Sequence, residues 1–226
     1  SMISPFGLSS FCLLGALSAD NTPPELASRP FDLTRNGFIL GEGAAFLVLE
    51  EWSHAKARGA RIYAELAGEG NTLSSYRITD SPPDGSGALH AIKRALRDGG
   101  VEPGDIDYIN AHGTSTKMND LSETNAIKAV FGQRAYQIPV SSTKSQTGHL
   151  IAAAGAIEAA FSVLAIHHAK VPMTANLRHP DPECDLDYVV NGPCERSLGA
   201  VLSNSFGFGG SNSCLLFKHP EFGGAK

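Results

Sequence analysis

The chain has 226 residues, 42% of them hydrophobic, with 18 Lys and Arg against 23 Asp and Glu for a formal net charge of −5. That length and apolar content supply a core for one large domain or two small ones, and the acidic balance with no basic cluster excludes a nucleic-acid binder. No apolar run reads as reaching membrane-span length, no signal peptide opens the chain, and the four scattered cysteines fit a reduced intracellular compartment without a disulfide framework or zinc site.

In chain order, 6–19 is predicted as a short helix, followed by a proline-rich turn at 21–24. Ser28-Arg-Pro-Phe-Asp32, Arg35-Asn-Gly-Phe38 and Gly41-Glu-Gly43 mark backbone that turns or approaches something closely. The near-continuous apolar run 44–50 is expected as a strand covered on both faces. A brief charged helix is predicted over 52–58, a strand over 62–66, and a long loop over 68–87. The amphipathic helix 88–97 sets Leu89, Ile92 and Leu96 on one face and Lys93, Arg94 and Arg97 off it, and Gly99-Gly100 stops it.

Strand 106–110 leads into Ala111-His-Gly-Thr-Ser-Thr116, and helix 119–131 follows with Asp120 and Glu123 suited to its first turn. Strand 138–142 leads into Lys144 and Gly148-His149, then a helix of small residues that ends near Lys170 and reads as buried on most sides. Lys144 and His149 are placed at the mouth of that helix, where free N–H groups and the dipole disfavour protonation of a histidine. Glu158 falls within the apolar helix and needs a partner, for which Lys144 is the candidate. Strands are predicted at 187–190, 200–204 and 213–218, the last two joined by Asn204-Ser-Phe-Gly-Phe-Gly-Gly-Ser-Asn212. Strands alternating with helices give a layered α/β fold, and the polar motifs lie at strand exits, where such folds place their sites.

Three of these motifs, His112-Gly-Thr-Ser-Thr116, Ser142-Thr-Lys144 with Gly148-His149, and Asn204-Ser-Phe-Gly-Phe-Gly-Gly210, together resemble the β-ketoacyl-acyl-carrier-protein synthases, most closely the elongating type II condensing enzymes of fatty acid synthesis. The resemblance covers essentially the whole chain, including 28–32, 41–50 and Cys184-Asp-Leu-Asp-Tyr188. It implies a thiolase-like fold of layered α/β/α halves, with 1–59 the end of the N-terminal half and 60–226 the C-terminal half. It also implies decarboxylative Claisen condensation of a malonyl-carrier protein with a cysteine-bound acyl chain.

On that resemblance His112 and His149 present Nε2–H to the thioester oxygen in one pocket, Lys144 is the catalytic lysine beside His149, and Asp120 and Glu158 support them, helix capping being an equal reading for Asp120. Thr114 and Thr116 match groups that bind the phosphopantetheine arm. Phe206 matches a gating phenylalanine whose N–H serves the acyl oxyanion, and Gly207, Phe208 and the following glycines form the mobile turn. No cofactor or metal is expected, since phosphopantetheine arrives on the carrier. The implied partners are the acyl carrier protein, acyl and malonyl thioesters, the missing half, and a second copy in a homodimer, with no nucleic acid or membrane. The implied compartment is the bacterial cytoplasm, or a mitochondrion or plastid.

The departures are the absent nucleophile, since Cys12 lacks a strand-to-helix elbow, and Gly15 where relatives often carry a carrier-docking arginine. The chain by itself is therefore expected to be inert and to expose apolar surface. A chain-length-factor-like partner, a polyketide ketosynthase fragment and a thiolase are the alternatives. Both histidines with Lys144 disfavour the first, fatty-acid-like strand and loop sequences the second, and the 204–210 motif the third.

Overall fold

The computed structural model describes residues 2–21 and 23–223. Its helices are α1 (Pro5–Leu13), α2 (Trp52–Ala57), α3 (Ser86–Gly99), α4 (Lys117–Phe131), α5 (Lys144–Thr147) and α6 (Ala154–His168). Five strands form one sheet: β1 (Glu65–Leu73), β2 (Tyr108–Asn110), β3 (Val140–Ser141), β6 (Ala200–Phe206) and β7 (Ser211–Lys218). Two short strands, β4 (Lys170–Val171) and β5 (Cys194–Glu195), pair apart from it.

The sheet order is β1-β7-β6-β2-β3. β2 runs parallel to β3 and β6, while β7 is antiparallel to β1 and β6. Side chains alternate between the two faces of a strand, and here the alternation sorts them into two cores. Tyr108, Val201 and Phe217 pack with Ala159, Ala165 and Ile166 of α6. Ile109, Leu202 and Leu216 pack with Ala91, Ala95 and Leu96 of α3 and Ile127 of α4. The result is the layered α/β/α arrangement expected from the alternating pattern.

Several elements differ from the sequence expectation for physical reasons. The strand expected at 62–66 starts at Glu65 and runs to Leu73, into the stretch read as loop. Its Gly68, Gly70 and Asn71 are poor strand formers, which hid it. The glycines are there because α3 lies directly on this strand. A Cβ on Gly70 would sit 2.0 Å from the Ala91 carbonyl oxygen, and one on Gly68 2.5 Å from that of Ala95. Helix α1 stops at Leu13, well short of residue 19, and Gly15 follows with φ 65°. The segment 187–190 makes a single bridge, Val140 to Tyr188.

The run 44–50 is not a strand, and it is largely exposed, with Phe46 95% and Val48 87% accessible. A strand exists through cross-strand hydrogen bonds, and no described strand lies alongside this run. The small-residue helix is likewise less enclosed than expected, because its outer face is only half-buried. The stretch Ile151–His168 is in fact long and apolar enough to cross a membrane, correcting the expectation that no run reaches that length. It packs on the sheet, and Glu158 in its middle is ion-paired inside the protein.

Because the α3 backbone occupies the space over β1, even a methyl group there forces the helix outward. Gly70→Ala should lower unfolding stability by about 1–3 kcal/mol, read as a fall in the urea midpoint with the denaturant slope unchanged.

Candidate active site

β2, β3 and β6 run in the same direction, so their C-terminal ends lie together and deliver three polar loops to one place. β2 ends at Asn110 and leads to His112, β3 ends at Ser141 and leads to Lys144, and β6 ends at Phe206 before the glycine turn. A cavity of about 760 Å³ opens there, lined by His112, Thr114, Thr116, His149, Phe206, Gly207 and Phe208 among others. The two imidazoles meet edge to face with centroids 5.3 Å apart, despite 37 positions of separation in the chain.

Each histidine has its Nδ1 engaged by a donor inside the protein. The Lys144 ammonium lies 3.1 Å from Nδ1 of His112, and the Ile151 backbone N–H donates to Nδ1 of His149 at 3.0 Å. A nitrogen that accepts carries no proton, so the hydrogen of each neutral ring is on Nε2. Burial, then the charge of Lys144, then His149 hold the His112 pKa well below the ordinary value. Burial and then Lys144 lower that of His149 to about 3. The neutrality expected of His149 therefore comes from desolvation and a neighbouring charge. A helical turn at Ile151–Ala153 runs directly into α6, so the free N–H groups expected at the mouth of this helix are there, and that of Ile151 donates to His149.

Lys144 does not line the cavity; it sits behind His112. Its Nζ donates to the His112 carbonyl at 2.6 Å and to Glu158 Oε1 at 2.5 Å, and both side chains of the ion pair are almost wholly inaccessible. The lysine thus contacts His112 directly, and its charge also reaches His149, near which the resemblance had set it. Burial raises the Glu158 carboxyl, and the lysine beside it opposes that shift by favouring the carboxylate.

Asp120 acts on the histidine loop rather than capping its own helix, for it accepts the N–H of Thr114 at 3.0 Å and of Phe31 at 2.9 Å. Arg35 lies 3.4 Å from it and also binds Asp181. Thr114 and Thr116 hydrogen-bond each other at 2.8 Å on the cavity wall. Phe206, at the end of its strand, packs edge-on to His112 at 5.5 Å. Phe208 stands on the turn beyond, half exposed and facing Phe11.

The sequence reading missed the importance of Glu123. This fully buried carboxylate accepts the N–H of His112 at 2.9 Å and of Gly113 at 2.8 Å, and its Oε1 also takes Asn204 Nδ2. It stands three residues after Asp120, hence on the same helix face. That spacing was the available signal. Burial pushes its pKa up to about 7 against three hydrogen bonds that favour the anion. Gly113, with φ 38°, lets the loop lie against β3's exit, since a Cβ would come 2.5 Å from Ser142 Cβ.

Segment 28–41 ties these loops together. Ser28 donates to the Lys144 carbonyl, the Arg29 N–H donates to Ser115 Oγ, and the His149 N–H donates to the Ile39 carbonyl. Among the described residues no cysteine lines the cavity. Cys12 and Cys194 are exposed, while burial raises the thiols of Cys184, to about 11, and Cys214.

Profiles of two domains match the chain: "Beta-ketoacyl synthase, N-terminal domain" over residues 1–55 and "Beta-ketoacyl synthase, C-terminal domain" over 63–178. The chain is 53% identical to 3-oxoacyl-[acyl-carrier-protein] synthase 2 of Synechocystis sp. over 96% of its own length and 52% of that protein's. It is 50% identical to an oxytetracycline polyketide beta-ketoacyl synthase of Streptomyces rimosus, over 96% and 51%. It superposes with TM-score 0.94 and 44% identity on a ketosynthase solved with its type II polyketide acyl-carrier protein, covering 96% of this chain and 54% of that one. The chain spans about half the length of the curated relatives it matches.

Two outcomes test the electrostatics. His149 should show no titration in NMR between mildly acidic and neutral pH. Its folded pKa of about 3 lies below the ordinary 6.5, so the stability it contributes is complete above 6.5 and is lost as pH falls from there toward 3. For Glu123, Glu123→Gln turns an NH₂ group against a backbone N–H. Chemical denaturation should show a loss of about 1–3 kcal/mol, accompanied by a shift of the His112 ring resonances.

Proposed function

The chain belongs to the beta-ketoacyl synthase family, and we propose that it supplies the His/His/Lys part of a 3-oxoacyl-[acyl-carrier-protein] synthase active site. The reaction is an acyl transfer. A malonyl thioester on the carrier loses CO2, the electron pair of the broken C–C bond forms an enolate, and that carbon attacks an acyl group held as a cysteine thioester. The cysteine leaves as thiolate and a β-ketoacyl thioester remains on the carrier. The observation that carries this reading is the pair of neutral imidazoles in one cavity, each with Nδ1 occupied and its proton on Nε2.

Two such donors stabilise the oxygen on which charge develops as CO2 departs. Lys144 acts through His112: it fixes the tautomer, and with Glu158 it forms a neutral buried pair. Thr114 and Thr116, on the cavity wall, are placed to bind the amides of the phosphopantetheine arm that the carrier brings. No cofactor resident in the chain is required. Gly207 N–H donates to Ser211, and hydrogen-bonded pairs alternate in an antiparallel ladder, so Phe206 N–H turns away from β7 and suits the acyl oxyanion donor. The gating role fits Phe208 better than Phe206, because Phe208 stands exposed on the glycine turn while Phe206 is buried in the strand.

The acyl-bearing cysteine comes from outside this cavity wall, and the exposed run 44–50 is the natural seat for the portion that bears it. A division near residue 59 is supported by profile matches ending at 55 and resuming at 63. Polyketide chain extension is the second reading, favoured by the likeness to the Streptomyces synthase and to the polyketide ketosynthase structure. It uses the same chemistry on a different acyl chain.

In the full-length protein His149→Ala should cut malonyl-carrier decarboxylation by ~10²-fold, equivalent to roughly 3 kcal/mol for one lost donor, and leave acyl loading of the cysteine intact. Release of CO2 from labelled malonyl-carrier protein and mass spectrometry of the acyl-enzyme separate the two steps. Unchanged decarboxylation would remove His149 from the mechanism.

A further inference from the structure

Five ring contacts run unbroken around the cavity. Phe206 meets His112 at 5.5 Å, His112 meets His149 at 5.3 Å, and His149 meets Phe38 at 5.2 Å. Phe38 then meets Phe11 at 5.6 Å, and Phe11 faces Phe208 at 6.5 Å. The first four contacts are edge to face, and all six rings line the cavity. Only Gly207 separates Phe208 from Phe206, so the circuit of aromatic side chains closes on itself. Phe11 and Phe38 have no part in the reaction described above.

The two ends of this circuit differ in freedom. Phe11 is one of the two buried residues of α1, whose Phe6 and Leu13 face outward. It is held against Phe38 because the segment after α1 pairs with residue 38. The Phe38 N–H donates to the Ala16 carbonyl, and the Ser18 N–H donates to that of Phe38. Phe208 is 47% exposed and stands on a turn where Gly209 and Gly210 have φ of 78° and 81°. A fixed ring thus faces a ring carried on backbone that can swing.

Water is the hazard for an enolate. If water reaches it, the carbon takes a proton, hydroxide is left, and the carrier keeps an acetyl thioester with no new C–C bond. An aromatic wall offers water no strong hydrogen-bond partner and so keeps the reacting carbon dry. We propose that Phe11 is the seat on which Phe208 closes, and that this contact, backed by Phe38, directs the enolate to condensation instead of protonation. The enolate rests on the reading above; the seat rests on the ring geometry and is tested apart from it.

Two measurements on the full-length protein test this. With para-fluorophenylalanine at position 208, the fluorine resonance shifts between light and heavy water according to its exposure. F11A should enlarge that shift, and F11L, which keeps an apolar seat, should leave it near wild type. With malonyl-carrier protein and an acyl-loaded enzyme, F11A should raise the ratio of acetyl-carrier to β-ketoacyl-carrier about fivefold. F208A should raise it as much, and F11A/F208A no further, because both remove one contact. Circular dichroism checks folding, and F208A, altered only on the exposed turn, carries the ratio test if F11A does not fold. A folded F11A in which either readout is unchanged, an unchanged ratio in F208A, or effects that add in F11A/F208A overturns the seat. Wild type with the expected fluorine shifts but no decarboxylation of malonyl-carrier leaves the seat standing and sinks the condensing-enzyme reading.

Discussion

Everything at this site hangs on one ammonium group. Lys144 Nζ is enclosed between the Glu158 carboxylate, the His112 carbonyl and the His112 ring nitrogen. A buried ion pair is weak evidence of stability, since desolvating both charges offsets their attraction, while removing one partner leaves a buried charge at a cost of about 3–5 kcal/mol. Glu158 Oε2 has no hydrogen-bond partner among the described residues, so the carboxylate is not held by a wider network on that side. The arrangement makes sense as placement: a permanent donor is set against His112 Nδ1, and Glu158 neutralises the charge that placement requires. One helix, α6, brings the counter-charge to the back of a cavity whose front it also lines through Ala154 and Gly155.

The second constraint is topological. Three parallel strand ends present three loops, but parallel strands leave their exits pointing the same way without fixing the loops to one another. Segment 28–41 does that, reaching the loops after β2 and β3 and, at His149, the turn before α6. Non-glycine residues with positive φ gather in these pieces: Phe31 at 65°, Ser115 at 67° and Ile151 at 52°. Such backbone costs on the order of 1–3 kcal/mol per residue and persists only where surroundings over-determine it. At Ile151, a β-branched residue, the result is the N–H aimed at His149 Nδ1. Phe31 donates its N–H to Asp120 and stacks on Tyr188 with centroids 3.9 Å apart. Strain and hydrogen bonds alike are spent on ring orientation.

The sequence carried the fold class because period-2 and helical patterns survive in β2, β6, β7, α3 and α4, and it carried the site because polar motifs sat at strand exits. It did not carry β1, whose glycines answer to the helix lying on it rather than to strand propensity. Nor did it distinguish a run that merely has strand composition, 44–50, from one that has a pairing neighbour. Glu123 escaped because a carboxylate in a first helical turn has an ordinary dipole explanation, and only the three-dimensional path of 112–113 shows two backbone N–H groups converging on it. Lys144 acts on His149 through its charge and pairs with Glu158 as expected, but its direct contact with the His112 ring was not visible in the sequence. β2 and β3 are neighbours in the sheet and bring residue 144 against residue 112, 32 positions earlier in the chain.

Burial then acts on the two chemistries of the site in opposite directions, and both outcomes serve the proposed reaction. It lowers the histidines and raises Glu123, in each case by disfavouring the charged form. Neutral histidines matter because the group to be expelled is a carboxylate. An imidazolium beside it would hold the negative charge in the ground state, and that attraction would have to be surrendered as CO2 leaves. A neutral N–H donor offers little to the carboxylate but gains strength as negative charge moves onto the thioester oxygen, and only such differential stabilisation lowers the barrier. Lys144 would defeat this if its charge faced the cavity. Set behind His112 and matched by Glu158, it adds to the burial that keeps the rings neutral, and Glu158 offsets its charge on the side away from the cavity.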